Sequence, residues 1–347
     1  MDFIYFVIVL GIIVFIHELG HLIAAKSFGV YCKEFAIGMG PRIFAIKGKE
    51  TTYSIRLLPL GGFVTMAGEE GVDADDIPAQ RTIKGIKRYQ RMIVMLAGIF
   101  MNILLAWVIF VGMYMATGQV NLAPKPIVAG VVENSPAARA GFHYGDVIAK
   151  LTFSDGTVIV PKDFYEVVQF IQLYNDQTTF TVKRDNTTVE ILITPEYIKA
   201  DNRYFVGLKL PDPVVKKINP IQAIGYGTNT LISGIGDIFS TLSRLVRGIG
   251  LKAISGPVGI FKVTAQTASQ GISSLIVLVG VLSLNVGIFN LLPIPLLDGG
   301  RVLLTAIEMI LRKPLNPKFE SFLLTLSAGL MIGLLILVTW QDILRLL

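Results

Sequence analysis

Four long apolar stretches dominate the pattern of hydrophobic and polar positions along this chain. They run from about Phe3 to Ala25, Met92 to Ala116, Ile272 to Leu292 and Phe322 to Trp340. Each is close to the roughly 20 residues of helix that cross the hydrocarbon core of a bilayer. The pattern therefore predicts four transmembrane helices. The first stretch has no positive charge before Lys26, so we interpret it as a permanent span and not as a cleaved signal peptide.

The segment between the second and third spans has a different pattern. From about Pro124 to Pro211, short β-branched runs alternate with turn residues, which predicts a small β-rich domain. From Pro220 to Gly248, apolar residues recur at helical spacing, which predicts one or two amphipathic helices on the membrane surface or packed on the bundle. The predicted domains are a membrane core at 1–120, a soluble domain at 121–213, an amphipathic linker at 214–271 and a second membrane core at 272–347.

The composition agrees with a membrane protein. The chain has 347 residues, of which 52% are hydrophobic and 16% are charged, whereas soluble domains are about 25% charged. Its net charge of +6 could indicate nucleic-acid binding, but the basic residues flank the apolar stretches, where they orient a chain in a bilayer. We therefore predict no nucleic-acid partner. The two basic loops, between spans one and two and between spans three and four, are predicted to be cytoplasmic. Both termini and the soluble domain are then outside.

Cysteine and histidine are scarce, which narrows the choice of metal site. The single cysteine, Cys32, cannot form an internal disulfide or a zinc site with several cysteines, and we interpret it as a small buried thiol. Three histidines are present, His17, His21 and His143. Any histidine ligand must be one of these.

The first span contains the motif His17-Glu18-Leu19-Gly20-His21. Residues four apart lie on one face of a helix, so both imidazoles can bind one metal ion while Glu18 reaches a water bound to it. Zinc lowers the pKa of such a water towards about 7, and a neighbouring carboxylate can accept its proton. The alternative is a structural hydrogen-bonded pair of His17 and Glu18. Ionisable groups within a span are costly, which favours the metal site.

Catalytic zinc usually has three protein ligands and one open position. His143 lies in the predicted outer domain, so the third ligand is expected to be an oxygen group. The best candidate is Asp298, predicted at the cytoplasmic end of the third span and at the same depth as His21. From the local sequence alone, an interfacial turn residue before Gly299-Gly300 is an equal alternative for Asp298.

Other polar residues and two prolines lie near this end of the third span. Pro293 and Pro295 are predicted to end the helix, which a hydrated pocket around a metal would tolerate. Asn285 and Asn290 can hydrogen-bond substrate backbone or an oxyanion, or they can join neighbouring helices. Their residue type and position favour the helix-joining role.

Four motifs follow one another in the order found in one known family. They are His17-Glu18-x-x-His21, Ala97-Gly98 followed by Asn102, Ser255-Gly256-Pro257-Val258-Gly259, and Asn290-x-x-Pro293-x-Pro295-x-x-Asp298-Gly299. Together they resemble the site-2 protease family, in its bacterial RseP-type branch, over nearly the whole chain. The resemblance implies that His17, His21 and Asp298 bind zinc and that Glu18 is the general base. It also implies that Asn290, with Asn285, helps to hold the substrate strand.

Two further segments resemble parts of that family. The stretch from Tyr53 to Met66 is similar to its membrane-associated β-hairpin, with Gly62-Phe63-Val64 matching a Gly-Phe-Val element. A strand edge there could pair with an extended substrate; the alternative is a plain amphipathic hairpin at the interface. Val128 to Ile148 resembles a PDZ domain, present once where some relatives have two. This implies capture of a peptide end and a size filter, and His143 is expected to be only a loop residue.

The predicted fold is a multi-pass α-helical membrane protein with four transmembrane helices, a membrane-associated β-hairpin and one extracytoplasmic β-rich PDZ domain. It is expected in the bacterial cytoplasmic (inner) membrane, with its zinc site nearer the cytoplasmic side. The predicted activity is zinc-dependent cleavage of trimmed single-span membrane proteins, such as anti-sigma factors or remnant signal peptides. The alternative is a non-proteolytic PDZ adaptor with a structural metal site. A transporter is disfavoured because the chain has no symmetric halves.

Overall fold

A computed structural model describes residues 1–69, 72, 76–185, 187–198, 203–247 and 256–344. The chain divides into two compact units, one formed by Met1–Ala116 with Pro220–Leu347 and the other by Thr117–Asn219. The predicted soluble domain, at 121–213, lies within the second unit. Most of the two predicted membrane cores and of the predicted linker lies in the first unit, whereas residues 117–120 and 214–219 lie in the second.

The helices and strands are numbered in chain order. The helices are α1 (Asp2–Ser27), α2 (Arg88–Thr117), α3 (Pro136–Ala140), α4 (Phe164–Leu173), α5 (Pro220–Val246), α6 (Pro257–Ser269), α7 (Ile272–Asn290), α8 (Asp298–Leu311) and α9 (Pro317–Leu344). The strands are β1 (Cys32–Lys47), β2 (Thr52–Met66), β3 (Gln119–Leu122), β4 (Gly130–Val131), β5 (Val147–Phe153), β6 (Val158–Ile159), β7 (Thr178–Arg184), β8 (Thr187–Ile193), β9 (Glu196–Ile198), β10 (Arg203–Phe205), β11 (Leu208–Lys209) and β12 (Val214–Lys217).

Four helices of the first unit, α1, α2, α7 and α9, are long and apolar enough to cross a membrane. They correspond to the four predicted spans, which confirms that part of the sequence analysis. The third differs at its end. The helix stops at Asn290, before the two prolines, and Asp298 is the first residue of the separate helix α8. The third span thus ends before Pro293 and Pro295, as predicted, and Asp298 lies beyond that end on its own helix and not on the span itself.

The amphipathic region forms the single helix α5 over its described part. Its apolar residues Leu231, Ile235 and Ile238 pack against a cluster from α2 and α7 that includes Phe110 and Leu284. Two hydrogen bonds add to this contact, from Trp107 Nε1 to Thr228 Oγ1 at 2.9 Å and between the Tyr114 and Thr230 hydroxyls at 3.1 Å. Of the two predicted placements, packing on the bundle is the one observed.

Helix α6 begins in the Gly-Pro-Val-Gly part of the motif that precedes the third span. The backbone N–H groups of Gly256 and Gly259 both donate to Asp342 Oδ2 of α9, each at 2.8 Å. A carboxylate is favourable at a helix N-terminus, where the backbone leaves N–H groups without intrahelical acceptors. The motif thus anchors α6 to the last span. Its Ser255 lies outside the described residues.

The predicted hairpin is larger than the sequence indicated. Tyr53 to Met66 forms one strand, β2, and its partner is β1, which local sequence reasoning missed. The assignment of a whole hairpin to Tyr53 to Met66 was therefore wrong, because the hairpin also includes β1, which ends at Lys47, directly before the short loop that leads into β2. Residues 34–37 pair both with 52–55 and with 62–65. Residues 34–37 therefore lie between two segments of β2, and residues 62–65 are one of these segments.

The second unit is a small β-rich domain. A four-stranded sheet has the order β6-β5-β7-β8, and its apolar residues pack with those of α4 in one core. The largest fully buried side chains of this core include Phe164, Phe180 and Leu151. Asp146 is buried beside it and accepts hydrogen bonds from Arg184 and from the backbone N–H of His143. His143 is thus a loop residue that helps to hold a structural carboxylate.

Candidate active site

Helix α1 places His17 and His21 on the same buried face. Their side chains lie one helical turn apart, and their Nε2 atoms are 3.2 Å from each other. Only 9% of His17 and 5% of His21 is exposed. At about 1.5 Å of rise per residue, His17 lies roughly 15 Å from the end of the helix at Ser27. Both imidazoles are therefore well inside a candidate span.

Asp298 meets both imidazoles although it comes from the other end of the chain. Its Oδ2 atom lies 3.0 Å from Nε2 of His17 and 3.3 Å from Nε2 of His21. This oxygen is buried and accepts no hydrogen bond from the described residues. Ligands at about 2.05 Å from a tetrahedral zinc ion lie roughly 3.3 Å from one another. Three ligand atoms separated by 3.0 to 3.3 Å therefore fit one face of a zinc tetrahedron and leave its fourth position open.

The other nitrogen of each imidazole is held by α2. His21 Nδ1 donates to the backbone carbonyl of Val94 at 2.8 Å. His17 Nδ1 lies 3.2 Å from the side-chain amide of Asn102, whose oxygen is buried without a partner among the described residues. Turning this amide by 180° lets its oxygen accept the Nδ1 proton. Both Nε2 atoms would then be unprotonated and able to bind a metal ion, which is the usual arrangement of metal-binding histidines.

Two glycines allow α1 and α2 to approach closely enough for these contacts. A Cβ atom on Gly20 would lie 2.4 Å from the carbonyl oxygen of Ala97. One on Gly98 would lie 2.4 Å from Nε2 of His21 and 2.8 Å from Cε1 of His17. Any larger residue at either position would force the two helices apart or displace the imidazoles.

Glu18 lies beside the three candidate ligands. It is half-buried, follows His17 directly on α1, and interacts electrostatically with His17, His21 and Asp298. On its other side is β2, since a Cβ atom on Gly62 would be 3.3 Å from Cγ of Glu18. The carboxylate therefore sits between the ligand triangle and the strand.

The start of α8 is tightly fixed by the loop before it. A Cβ atom on Gly299 would lie 2.2 Å from the carbonyl oxygen of Leu291, and one on Gly300 would lie 2.0 Å from that of Ile294. The Gly-Gly pair thus lets the loop fold back onto the helix. This close contact sets the position of Asp298 at the first turn.

The other candidate site residues differ in their surroundings. Gly62 lies against α1, the Phe63 ring is 4.8 Å from the guanidinium carbon of Arg56, and the Val64 side chain is buried in a hydrophobic cluster. Asn290 is half-buried and its amide donates to the Val286 carbonyl of its own helix at 2.9 Å. Asn285 is also half-buried. Among the described residues, the Asn290 side chain bonds within its own helix and not to the three candidate ligands.

Sequence reasoning missed the structural part that α2 plays at this centre. Gly98 and Asn102 were recognised as members of a motif, but the sequence indicated no role for them. Val94 was not recognised at all. Val94 contributes only its backbone carbonyl, for which the sequence carries no signal. The spacing of Gly98 and Asn102, four residues apart on one helix face, could have indicated a common neighbour.

The comparisons with known proteins agree over the whole chain. The profile of peptidase family M50 matches residues 5–334. A protein of Clostridium perfringens that is named as a zinc metalloprotease is 37% identical over 345 residues, which are 99% of this chain and 98% of that protein. The regulator of sigma-W protease RasP of Bacillus subtilis is 32% identical over 420 aligned positions, covering 98% of each chain. The zinc metalloprotease RasP of Bacillus licheniformis is 31% identical with the same coverage.

Among the solved structures that match part of the chain is a PDZ domain. It is the PDZ domain of an SdrC-like protein of Listeria monocytogenes, with 21% identity and a TM-score of 0.21, covering 26% of this chain and 93% of that one. The family assignment does not depend on it, since the profile and the relatives extend over nearly the full length. The chain therefore belongs to peptidase family M50, the site-2 protease family, and is an intramembrane zinc metalloendopeptidase.

Proposed function

We propose that His17, His21 and Asp298 hold the zinc ion and that Glu18 is the general base for peptide hydrolysis within the membrane. The observation that carries this proposal is the triangle of ligand atoms at 3.0 to 3.3 Å, formed by residues about 280 positions apart in the chain. When bound, zinc lowers the pKa of a coordinated water and polarises a carbonyl group.

The protein's own residues supply proton transfer and orientation. Glu18 accepts a proton from the attacking water and later delivers it to the leaving amine, because it lies beside the three candidate ligands. Val94 and Asn102 hold the two imidazoles in the tautomer that points Nε2 at the ion. Asn290 and Asn285 are proposed to bind substrate backbone near the scissile bond.

We propose that the substrate chain binds along β2. A transmembrane helix must unwind before its peptide bonds can reach a catalytic centre, and an exposed strand edge offers hydrogen bonds to the unwound segment. Gly62, Phe63 and Val64 are consecutive in β2, and a Cβ atom on Gly62 would lie 3.3 Å from Cγ of Glu18. Since the Val64 side chain is buried, its part in substrate binding would come from its backbone.

The substrates we propose are single-span membrane proteins already shortened by another protease, such as anti-sigma factors, or remnant signal peptides. The name of the Bacillus subtilis relative, a regulator of sigma-W protease, supports the first class. The Thr117–Asn219 unit is proposed to be a PDZ domain that excludes substrates with a bulky outer domain. The distribution of Lys and Arg supports placing this unit and both termini outside, with the zinc centre nearer the cytoplasm.

The direct test uses the purified full-length protein in detergent with a tagged single-span substrate. Wild-type protein is expected to cleave it, and zinc chelation is expected to abolish cleavage. The Glu18→Gln variant is expected to bind zinc but to lose at least about a hundredfold in rate, because the general base is gone. Cleavage that survives Glu18→Gln would refute the role of Glu18, and cleavage in excess chelator would refute the metal.

The alternative, a PDZ adaptor with a structural metal, gives the opposite result. An adaptor would bind zinc and peptides without cleaving them, and Glu18→Ala would complement a deletion strain as well as wild type does. Fragments that accumulate in membranes carrying Glu18→Gln, identified by mass spectrometry, would name the natural substrates.

A further inference from the structure

Three contacts of the metal centre described above belong to one face of α2. Residues 91, 94, 98 and 102 are spaced three or four apart, so they form a single stripe along the helix. Val94 holds His21, Gly98 abuts both imidazoles, and Asn102 contacts His17. The stripe begins at Arg91, which lies one turn before Val94. Arg91 is neither a proposed zinc ligand nor a contact of the two imidazoles.

Arg91 reaches from α2 to α8, the helix that starts at Asp298. Its Nε donates to Thr305 Oγ1 at 3.0 Å, and its Nη2 makes a short hydrogen bond with Glu308 Oε2. Thr305 and Glu308 are 3% and 7% exposed. Asp298 and Thr305 are seven residues apart, close to two full turns, so they lie on the same side of α8. Arg91 therefore binds the side of α8 on which Asp298 lies.

Glu308 also fixes the far end of α8. Its second oxygen accepts the backbone N–H of Leu315 at 2.9 Å, beyond the helix end at Leu311. The Thr305 hydroxyl in turn donates to the Arg301 carbonyl at 2.8 Å. Both acceptors of Arg91 are thus held by other bonds. A shift of Arg91 would move α8 as a unit.

We infer that Arg91 is the positioning residue for the third zinc ligand, so that one helix, α2, orients all three ligands. It acts on Asp298 through Thr305 and Glu308, as Asn102 and Val94 act on the two histidines. This inference rests on the proposed function, since it takes His17, His21 and Asp298 as the zinc ligands. Removing a group that orients a metal ligand typically weakens metal affinity by about 10- to 100-fold.

The test compares full-length Arg91→Lys with wild type and with a matched control. Lysine keeps the positive charge beside Glu308 but lacks the Nε donor to Thr305. The control is Arg81→Lys, because Arg81 makes the same pattern of bonds, from Nε to the Gly29 carbonyl and from Nη2 to Glu50, away from α8. The zinc dissociation constant is measured by competition with a chelator, and kcat and KM are measured at saturating zinc.

Arg91→Lys is expected to weaken zinc binding at least about tenfold and to lower kcat with KM unchanged, whereas Arg81→Lys should match wild type in all three. Thr305→Val, which replaces the hydroxyl with a methyl group, should shift zinc affinity in the same direction. The double variant Arg91→Lys with Thr305→Val should bind zinc no more weakly than Arg91→Lys alone, since both changes remove the same hydrogen bond between Arg91 and Thr305.

Two results would overturn the inference while leaving the proposed function intact. One is wild-type zinc affinity in a folded Arg91→Lys protein; the other, decisive if Arg91→Lys does not fold, is wild-type zinc affinity in Thr305→Val. Failure of the wild-type protein to bind zinc would instead refute the proposed function.

Discussion

Gly98 of α2 lies directly against the imidazole of His21, with no room for another carbon between them. A Cβ atom at Gly98 would stand 2.4 Å from Nε2 of His21 and 2.9 Å from Nε2 of His17. Those two nitrogens are the atoms proposed to bind zinc. The absence of a side chain at this position is therefore a requirement of the centre itself and not only of helix packing.

Replacing Gly98 with alanine is expected to abolish zinc binding while the four spans still form. The added methyl group would push both imidazoles away from Asp298, and neither can retreat without losing its bond to Val94 or Asn102. Zinc content after purification and cleavage of a tagged substrate should both fall by more than about tenfold. Gly112→Ala on the same helix is the control, because a Cβ atom there meets no atom within 4 Å. Equal zinc content in the two variants would contradict the prediction.

Asn102 should affect the metal through His17. Asn102→Leu keeps the branched shape and the number of heavy atoms of the side chain but cannot accept the Nδ1 proton, so His17 loses its fixed orientation. We expect the zinc dissociation constant to rise about 10- to 100-fold. Ser327→Ala serves as the control, because it removes a buried polar group that bonds only within α9 in the described contacts. An unchanged dissociation constant in Asn102→Leu, measured by chelator competition, would argue against a role for Asn102 in holding His17.

The sequence could predict the parts of this protein that local patterns encode. Four spans follow from apolar length, and the pairing of His17 with His21 follows from helical spacing. Local sequence patterns did not predict that Asp298 lies against those histidines. From the local sequence alone, Asp298 could equally have been a turn residue, and its predicted depth beside His21 and the family resemblance favoured a ligand. In the structure it is the first residue of α8, held there by two glycines pressed against the preceding loop.

Contacts between residues far apart in the chain, and contacts made by backbone groups, could not be predicted from the sequence. The Val94 carbonyl has no residue type to mark it, since every residue has one. The bond of Arg91 with Glu308 joins positions more than 200 residues apart, and both residues look like ordinary charged positions beside apolar runs.

The contact between β2 and α1 makes Gly62 a test of the substrate strand. A Cβ atom at Gly62 would lie 2.8 Å from the Ala36 carbonyl oxygen, 2.8 Å from Cγ1 of Val14 and 3.3 Å from Cγ of Glu18. Gly62→Ala should therefore displace the strand from Glu18 without touching the zinc ligands. We expect a lower kcat/KM for cleavage, by about tenfold or more, with zinc content unchanged. Gly11→Ala on α1, where a Cβ atom meets nothing within 4 Å, should cleave normally. Loss of zinc together with activity would show that Gly62 acts on the metal centre instead.

Stability of the Thr117–Asn219 unit should depend on pH through Asp146. Burial raises the pKa of this carboxyl, but hydrogen bonds from Arg184, at 2.7 and 2.8 Å, and from the His143 backbone N–H outweigh burial and lower it below the ordinary value of 3.8. A lowered pKa in the folded state means that the carboxylate stabilises the unit fully above the unfolded pKa, and that this contribution is lost as the pH falls through the folded one.

Asp146→Asn should therefore reduce the free energy of unfolding by about 3 kcal/mol at neutral pH. The deficit should shrink as the pH falls below about 4, because wild type then loses the same charge. Hydrogen exchange of β5 and β7 amides in the full-length protein can measure both the loss of stability and its dependence on pH. Glu196→Gln is the control within the same unit, since its pair with Arg139 is more than half exposed and should contribute less than about 1 kcal/mol. A deficit for Asp146→Asn that stays constant down to pH 3 would mean that lost packing, and not the charge, accounts for it.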